Sequence, residues 1–212
     1  MTRLLSGRWA KPVVFTLSLV PLLALAWRGW RDDLGANPIE YITRSTGLWT
    51  LRFLLVTLAI APLRKLPGLS ALIRFRRMLG LFSFFYASLH LLTYVWLDKF
   101  FDLPDIAKDV VKRPFITAGF FAFLVMVPLA VTSTAGWIRR LGGRRWQLLH
   151  RLVYVSVLAG VFHYGWQVKS DFRGPQTYAV LAAVLLLWRV VAWLMKRAAA
   201  PRPVSRPSAG PN

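Results

Sequence analysis

The chain has 212 residues, of which 56% are hydrophobic and ten are tryptophan, and its mean hydropathy is +0.48. Soluble domains are about 45–50% apolar, so this composition favours a lipid environment. The absence of cysteine excludes disulfides, thiolate zinc sites, cysteine-ligated iron–sulfur clusters and cysteine nucleophiles. The net charge of +20 would suggest nucleic-acid binding in a soluble protein, but here the basic residues lie between apolar runs and form no single stripe.

Six apolar segments predict an all-α integral membrane protein built as a bundle of six transmembrane helices. The segments are 12–27, 47–63, 78–97, 115–132, 146–168 and 177–195. The polar links between them are 28–46, 64–77, 98–114, 133–145 and 169–176. A span needs about 20 apolar residues, so the first, second and fourth segments are short.

The acidic residues all lie on one side of this predicted bundle. They fall in or beside the first, third and fifth links: Asp32, Asp33, Glu40, Asp98, Asp102, Asp105, Asp109 and Asp171. Basic residues fill the other links and both chain ends: Arg3, Arg8, Lys11, Arg64, Lys65, Arg74, Arg76, Arg77, Arg139, Arg140, Arg144, Arg145, Lys196, Arg197, Arg202 and Arg206. Since excess Lys and Arg mark the cytoplasmic side, both termini are predicted to be cytoplasmic.

The N-terminal segment allows two interpretations. Its basic residues, its apolar run and Ala24-Leu25-Ala26 have the form of a cleavable signal peptide. Cleavage would leave five spans in the same orientation. The sequence Trp27-Arg28-Gly29-Trp30 has the form of an aromatic interface anchor and favours an uncleaved first helix.

Two further stretches lie outside the predicted spans. Residues 69–78 could form a short helix on the inner membrane surface or a basic loop that obeys the orientation rule. The tail at 198–212 is rich in Pro, Ser, Ala and Gly, which predicts a disordered cytoplasmic segment. Residues 1–197 then form a single transmembrane domain.

The three histidines are the candidate functional residues, because ionisable side chains inside lipid usually face the bundle interior. His90 lies eight residues before Asp98 and His163 lies six before Lys169, so the two rings are predicted at similar depth. Two neutral imidazoles that face each other in an apolar bundle can be the axial ligands of a haem iron. His150 lies roughly 20 Å from His163 along the helix axis, near the inner surface.

Helix geometry leaves the relation between His150 and His163 open. Thirteen positions turn a straight helix about 220° past three full turns, so the two side chains do not share a face. Either the helix tightens locally, near Gly160, or the two sites lie on different sides of it.

Other roles for the histidines also remain open. The chain could be a proton or metal transporter, or a structural subunit whose histidines bond to neighbouring helices. Arg52 and Arg189 lie near the ends of predicted spans, where long side chains can reach the interface.

Several stretches resemble a known family. These are R-R-L-G-G-R-R-W-Q-L-L-H-R-L-V-Y at 139–154, H-Y-G-W at 163–166, N-P-I-E-Y-I-T-R-S-T-G-L-W at 37–49 and the span around His90. They are similar to the haem-binding membrane subunits of the bacterial protein-methionine-sulfoxide reductase system (the MsrQ family). More distantly, the chain resembles the transmembrane domain of ferric reductases and NADPH oxidases.

This resemblance implies a six-helix inner-membrane b-type cytochrome, with one or two haems b, that also uses FMN. Electrons would come from cytoplasmic reduced flavin, from a flavin reductase or from quinone. They would pass to a periplasmic molybdopterin-containing catalytic subunit, which reduces methionine sulfoxide in oxidised envelope proteins.

The resemblance also assigns site residues. By position, His90, His150 and His163 match the family's haem-associated histidines, which ligate iron. The wider superfamily has four such histidines, and Arg77 stands where the fourth is expected. The inner haem would then be absent, five-coordinate on His150, or completed by a group other than histidine.

The chain lacks the parts that would let it act alone. No G-x-G-x-x-G fingerprint of a dinucleotide-binding domain follows a predicted strand, so we expect that the chain cannot oxidise NADPH alone and needs an electron donor. It also has no ligand set for molybdenum, so methionine sulfoxide would be reduced elsewhere. The basic inner face would attract an anionic flavin phosphate or an acidic partner. The outer loops 28–46 and 98–114 are the expected docking surface for the periplasmic subunit.

Overall fold

Helices account for every regular element in the part of the chain that the computed structural model describes, residues 6–199. The α-helices are α1 (Ala10–Trp30), α2 (Pro38–Leu63), α3 (Arg76–Leu92), α4 (Leu103–Lys112), α5 (Pro114–Val131), α6 (Ala135–Leu149), α7 (Val153–Gln167) and α8 (Arg173–Ala198). A 3₁₀ helix (Ser70–Phe75) precedes α3, a π-helix (Thr93–Asp98) continues it, and a 3₁₀ turn (His150–Leu152) joins α6 to α7. The predicted all-α class is confirmed. The tail from 200 onward, with Arg202 and Arg206, and also Arg3, lie outside the described residues.

Five helical segments are long and apolar enough to cross a membrane. They are Ala10–Trp30, Pro38–Leu63, Ser70–Asp98, Pro114–Val131 and Arg173–Ala198, and they match five of the six predicted spans. The remaining predicted span, 146–168, is not one regular helix, because the 3₁₀ turn at His150–Leu152 divides it. The local tightening therefore lies at His150 and not near Gly160. At 15 residues, α7 is about 22 Å long, shorter than a hydrocarbon core of about 30 Å.

α2 lies at the centre of the bundle and is the most buried of these segments. It begins nine residues earlier than predicted, because Asn37 caps it by accepting a hydrogen bond from the Glu40 amide at 3.2 Å and Pro38 occupies its first turn. One core cluster joins α2 to α3, α5, α7 and α8: Leu51, Leu54, Leu55, Leu58, Ala87, Met126, Val157 and Ala182. The other joins α2 to α3 and the 3₁₀ helix before it: Phe53, Ile60, Phe75, Leu79, Phe82 and Tyr86.

α1 packs against α3 through Tyr86 of α3, whose hydroxyl bonds to backbone groups of α1. The buried Tyr86 hydroxyl donates to the Ser18 carbonyl at 2.9 Å and accepts from the Leu22 amide at 3.2 Å. These two groups would bond each other in a regular helix, and Pro21 lies between them. α1 continues without a break through 24–26, where the sequence left cleavage open.

Two of the predicted links are helical. α4 lies in the link 98–114, and α6 occupies most of the link 133–145 with a kink at Gly142, whose φ is +72°. The segment 69–78 is helical from Ser70 onward, as the 3₁₀ helix and the first residues of α3, but its Phe75 is only 2% exposed and belongs to the core. This contact ties the segment to the bundle.

The loops with acidic residues meet at one end of the bundle. A hydrogen bond of 3.2 Å joins Thr43, near the start of α2, to Thr93, after the end of α3, and His163, near the end of α7, bonds to Phe115 at the start of α5. We refer to the end formed by residues 31–37, 93–113 and 168–172 as the acidic end, and to the end formed by 64–75 and 132–152 as the basic end.

A network of ion pairs fixes α4 at the acidic end. Lys99 Nζ lies 2.5 Å from Asp105 Oδ2 and 2.6 Å from Asp109 Oδ2, and the Asp109 side chain is only 8% exposed. Asp109 also accepts from the Tyr94 hydroxyl at 3.1 Å and pairs with Arg113 Nε at 3.3 Å. The hydrogen bond from Lys99 lowers the pKa of Asp109, and the bonds to Asp105 and Asp109 raise the pKa of Lys99.

The Asp109→Asn substitution should lower stability at neutral pH by about 1–3 kcal/mol, because it leaves Lys99 and Tyr94 short of a charged acceptor. The contribution of the ionised Asp109 to the free energy of unfolding is complete above the pKa of about 3.9 that the group has in the unfolded chain. It is lost as the pH falls through the lower pKa of the folded state. The contribution of the charged Lys99 to the free energy of unfolding is complete below its unfolded pKa of about 10.4. It is lost as the pH rises through the higher pKa of the folded state.

Thermal unfolding of the full chain in detergent should therefore show a difference between wild type and variant at pH 7 that shrinks below about pH 4. The matched control is Asp32→Asn, a change of an exposed carboxylate at the same end. Equal losses for the two variants, or a difference that does not depend on acid pH, would contradict this role for Asp109.

Candidate functional site

His90 and His163 meet near the acidic end of the bundle. α3 carries His90 in its last turn and α7 carries His163, and their ring centroids lie 6.0 Å apart with an interplanar angle of 73°. The predicted pairing at one depth is therefore present in the structure. A π-helix begins three residues after His90, and such irregular turns often occur at functional sites.

The hydrogen bonds of the two rings define their tautomers. Nδ1 of His90 lies 2.8 Å from the Thr43 carbonyl of α2, and Nδ1 of His163 lies 2.6 Å from the Phe115 carbonyl of α5. Because a carbonyl oxygen can only accept, Nδ1 must be the protonated nitrogen in each ring. Nε2 of each neutral ring then keeps its lone pair, which is the form in which histidine binds a metal.

Two glycines make room for the rings. A Cβ on Gly47 would lie 3.0 Å from His90 Nδ1, and one on Gly119 would lie 2.8 Å from His163 Nδ1. Each glycine follows the carbonyl that its histidine binds by four residues, so both rings lie over one turn of a neighbouring helix in the same way. Neither glycine was predicted from the sequence to belong to the site, although small residues in transmembrane segments signal close approach of another group.

The separation of the rings suits a shared metal ion. Imidazole nitrogen binds first-row metals at about 2.0–2.1 Å, so two rings on opposite sides of one ion have centroids about 6 Å apart when the ring radius is added. The observed 6.0 Å agrees with this value. Within residues 6–199 no group of three or more His, Asp or Glu side chains could hold a metal ion, so no third side chain of these types joins His90 and His163.

His150 lies apart from this pair, as predicted. Its ring stacks on Trp146 at 3.9 Å, and Nδ1 donates to the Trp146 carbonyl at 3.0 Å. Nε2 is buried and has no hydrogen-bond partner. The Leu129 carbonyl is a second backbone acceptor close to the ring, but a neutral ring that donates from Nδ1 to Trp146 has no proton left for it.

The structure places Arg77 differently from its neighbour Arg76. Arg77 is exposed, whereas Arg76 is half-buried and acts electrostatically on His150. Arg76 also lies within electrostatic range of Arg189 and Tyr154. Arg76, and not Arg77, is therefore the arginine that lies near His150 inside the bundle.

Two of the arginines within the predicted spans, Arg52 and Arg189, are held by tyrosines. Arg189 donates from Nη1 to the Tyr154 hydroxyl at 2.9 Å and from Nη2 to the Leu58 carbonyl at 3.0 Å. Arg52 donates from Nε to the Tyr178 hydroxyl at 2.8 Å. Because α2 starts earlier than predicted, Arg52 lies near the middle of its helix, where it bonds to a residue of α8.

Comparison with known proteins gives this geometry a family context. Residues 46–161 match the family described as ferric reductase like transmembrane component. That range includes His90 and His150 and ends two residues before His163.

Several relatives carry the same name, protein-methionine-sulfoxide reductase heme-binding subunit MsrQ. The relative from Herminiimonas arsenicoxydans is 57% identical over 186 residues, which cover 86% of this chain and 85% of the relative. The one from Azospira oryzae is 56% identical over 85% of this chain and 78% of its own length. The one from Xanthomonas campestris pv. campestris is 52% identical over 95% and 93%.

These matches cover both the described bundle and the histidines within it. Together with the five apolar helices, they show a multi-pass protein of the bacterial inner membrane. The chain belongs to the ferric reductase-like transmembrane family and, within it, to the haem-binding subunits of the protein-methionine-sulfoxide reductase system.

Proposed function

We propose that this subunit transfers electrons across the inner membrane through a b-type haem held between His90 and His163. The single observation that carries the proposal is the approach of the two rings to 6.0 Å, each with Nδ1 bonded to a carbonyl. The relatives are named for haem binding, which supports this function. They do not favour the histidine-based transporter that the sequence left open.

The residues around the pair would each have a defined part in this function. A bound haem would supply a one-electron iron couple. His90 and His163 would present their Nε2 lone pairs, while the Nδ1–H bonds to Thr43 and Phe115 fix the ring orientations and raise the basicity of the ligands. The apolar helices around them would limit water access, which is one determinant of reduction potential.

We place the basic end in the cytoplasm and the acidic end in the periplasm. α7 with the 3₁₀ turn before it would make the sixth crossing, and both termini would then be cytoplasmic. Residues 1–197 would form one haem-binding domain. Electrons would enter at the basic end from reduced flavin, a flavin reductase or quinone, and FMN would be held there by its phosphate.

His150 is a candidate ligand for a second haem at the basic end. Its buried Nε2 has no hydrogen-bond partner, so it is available to a metal ion. No second histidine would hold this haem together with His150, since Arg77 stands at the matching sequence position and is exposed.

Single replacements of the histidines test the pairing. His90→Ala and His163→Ala should each abolish the same low-spin haem signal in the visible spectrum of the detergent-solubilised full chain, because they remove ligands of one iron. His150→Ala should leave that signal in place. A colourless wild type from haem-replete cells, or clearly unequal losses for His90 and His163, would overturn the proposal.

Gly119→Ala should lower haem affinity by roughly 10- to 100-fold, because the new methyl group would lie 2.8 Å from Nδ1 of His163 and displace the ring from the Phe115 carbonyl. Haem content and the low-spin signal of purified protein measure this. Gly165→Ala is the matched control, since within residues 6–199 no atom beyond its chain neighbours and its own helix backbone lies within 4 Å of the position of a Cβ. An equal effect of the two substitutions would mean that the steric argument is wrong.

The periplasmic molybdopterin-containing subunit would dock on the acidic end, in the region of the loops 28–46 and 98–114. Asp98→Lys, which reverses an exposed charge there, should slow reoxidation of the reduced protein by that subunit several-fold at low salt and less at high salt. Lys196→Glu reverses a charge at the opposite end and serves as the control. Equal transfer rates in wild type and in a set of charge reversals across the acidic end would remove this docking surface.

A further inference from the structure

Three buried side-chain atoms in the described chain have no hydrogen-bond partner, and they lie in the basic half of the bundle. They are Thr57 Oγ1, His150 Nε2 and Arg189 Nε. A buried polar atom left unpaired costs about 1–3 kcal/mol, so such atoms are rare and indicate a missing partner.

Contacts between neighbours link these three atoms. Arg189 binds the carbonyl of Leu58, the residue after Thr57. The Thr57 methyl group lies against Gly80, one turn after Arg76 in α3. Arg76 acts electrostatically on both Arg189 and His150.

The same region holds positive charge without a counterion. Arg76 and Arg189 are both half-buried and repel each other. Among residues 6–199 neither forms an ion pair, and the carboxylates of the chain lie at or beside the acidic end. Partly buried charges are unfavourable unless an opposite charge compensates them.

We propose that this basic cluster, formed by Arg76, Arg189, Tyr154 and Thr57, binds an anionic oxygen group of a cofactor. The group is a carboxylate or a phosphate, since a guanidinium binds both through paired N–H donors. Tyr154 accepts from Arg189 through its oxygen and so has its own hydrogen available for the anion. The Thr57 hydroxyl supplies a further donor.

The proposal rests on the proposed function, which provides two sources for such a group at this end: the propionates of a haem and the phosphate of FMN. In either case the anion neutralises the repulsion between Arg76 and Arg189 and gives Arg189 Nε an acceptor. Binding should then stabilise the folded chain, because the anion has no comparable site in the unfolded state.

Four probes distinguish the two sources: FMN, riboflavin, haem b and the dimethyl ester of haem b. Each is added to the detergent-solubilised full chain, and binding is followed by fluorescence quenching for the flavins and by absorbance for the haems. Arg189→Gln and Arg76→Gln remove the two cations one at a time. Arg197→Gln, at an exposed position later in α8, is the matched control.

The pairs to compare are FMN with riboflavin and haem b with its dimethyl ester. We expect wild type to bind the charged member of one pair roughly 10- to 100-fold more tightly than the uncharged member. The two cluster variants should reduce this preference to a few-fold, and the control should keep it. A preference for FMN over riboflavin identifies the phosphate, and a preference for haem b over its ester identifies the propionates. Equal binding within both pairs, or a preference that both cluster variants retain, overturns the proposal.

Two further measurements keep the test decisive. Arg189→Lys retains the charge but loses the paired donors, so an intermediate preference is expected even if the Gln variant folds poorly. The low-spin signal of His90 and His163 is read in the same samples. Loss of that signal in wild type would reject the proposed function, whereas an intact signal without anion preference would reject the basic cluster alone.

Discussion

The hydrogen bonds from Nδ1 of His90 and His163 to carbonyls of α2 and α5 are the contacts on which the site depends. Each bond fixes a tautomer, an orientation and a packing distance together, because the ring lies directly over a turn that lacks a side chain at Gly47 or Gly119. The site is therefore formed by four helices and not by two. α3 and α7 supply the ligands, while α2 and α5 supply the surfaces that hold them.

The depth of the histidine pair could be predicted from the sequence because a helix has a fixed rise per residue. Counting back from Asp98 and Lys169 placed both rings near one end, where the structure has them. The carbonyl partners could not be predicted in this way, since every residue of a helix carries the same carbonyl group. Only the glycines carry a signal in the sequence, and a glycine in a transmembrane helix can equally well allow close packing of two helix backbones.

Element boundaries were less predictable, because hydropathy measures composition and not hydrogen bonding. Polar residues at 40–46 place the start of α2 in a link by hydropathy, yet the Asn37 cap and Pro38 start the helix there. That shift of nine residues moves Arg52 from a span end to mid-helix. Likewise the hydropathy of the segment 146–168 gives no sign of the 3₁₀ turn at His150–Leu152. That turn changes the rotation of His150 about the helix axis relative to α7.

The two ends of the bundle handle charge in opposite ways. At the acidic end Lys99, Asp105 and Asp109 satisfy one another, so α4 has its position before any partner arrives, and the remaining carboxylates are exposed. In the basic half of the bundle Arg76 and Arg189 have no carboxylate partner among residues 6–199, and the unpaired atoms of the described chain lie near them. A surface whose ion pairs already form within the chain suits reversible docking of a protein, because few side chains have to be ordered on binding. Uncompensated buried charge suits a resident ligand instead, because the folded chain gains stability when the ligand stays bound. The charge distribution therefore favours a resident cofactor at the basic end and exchange of partners at the acidic end.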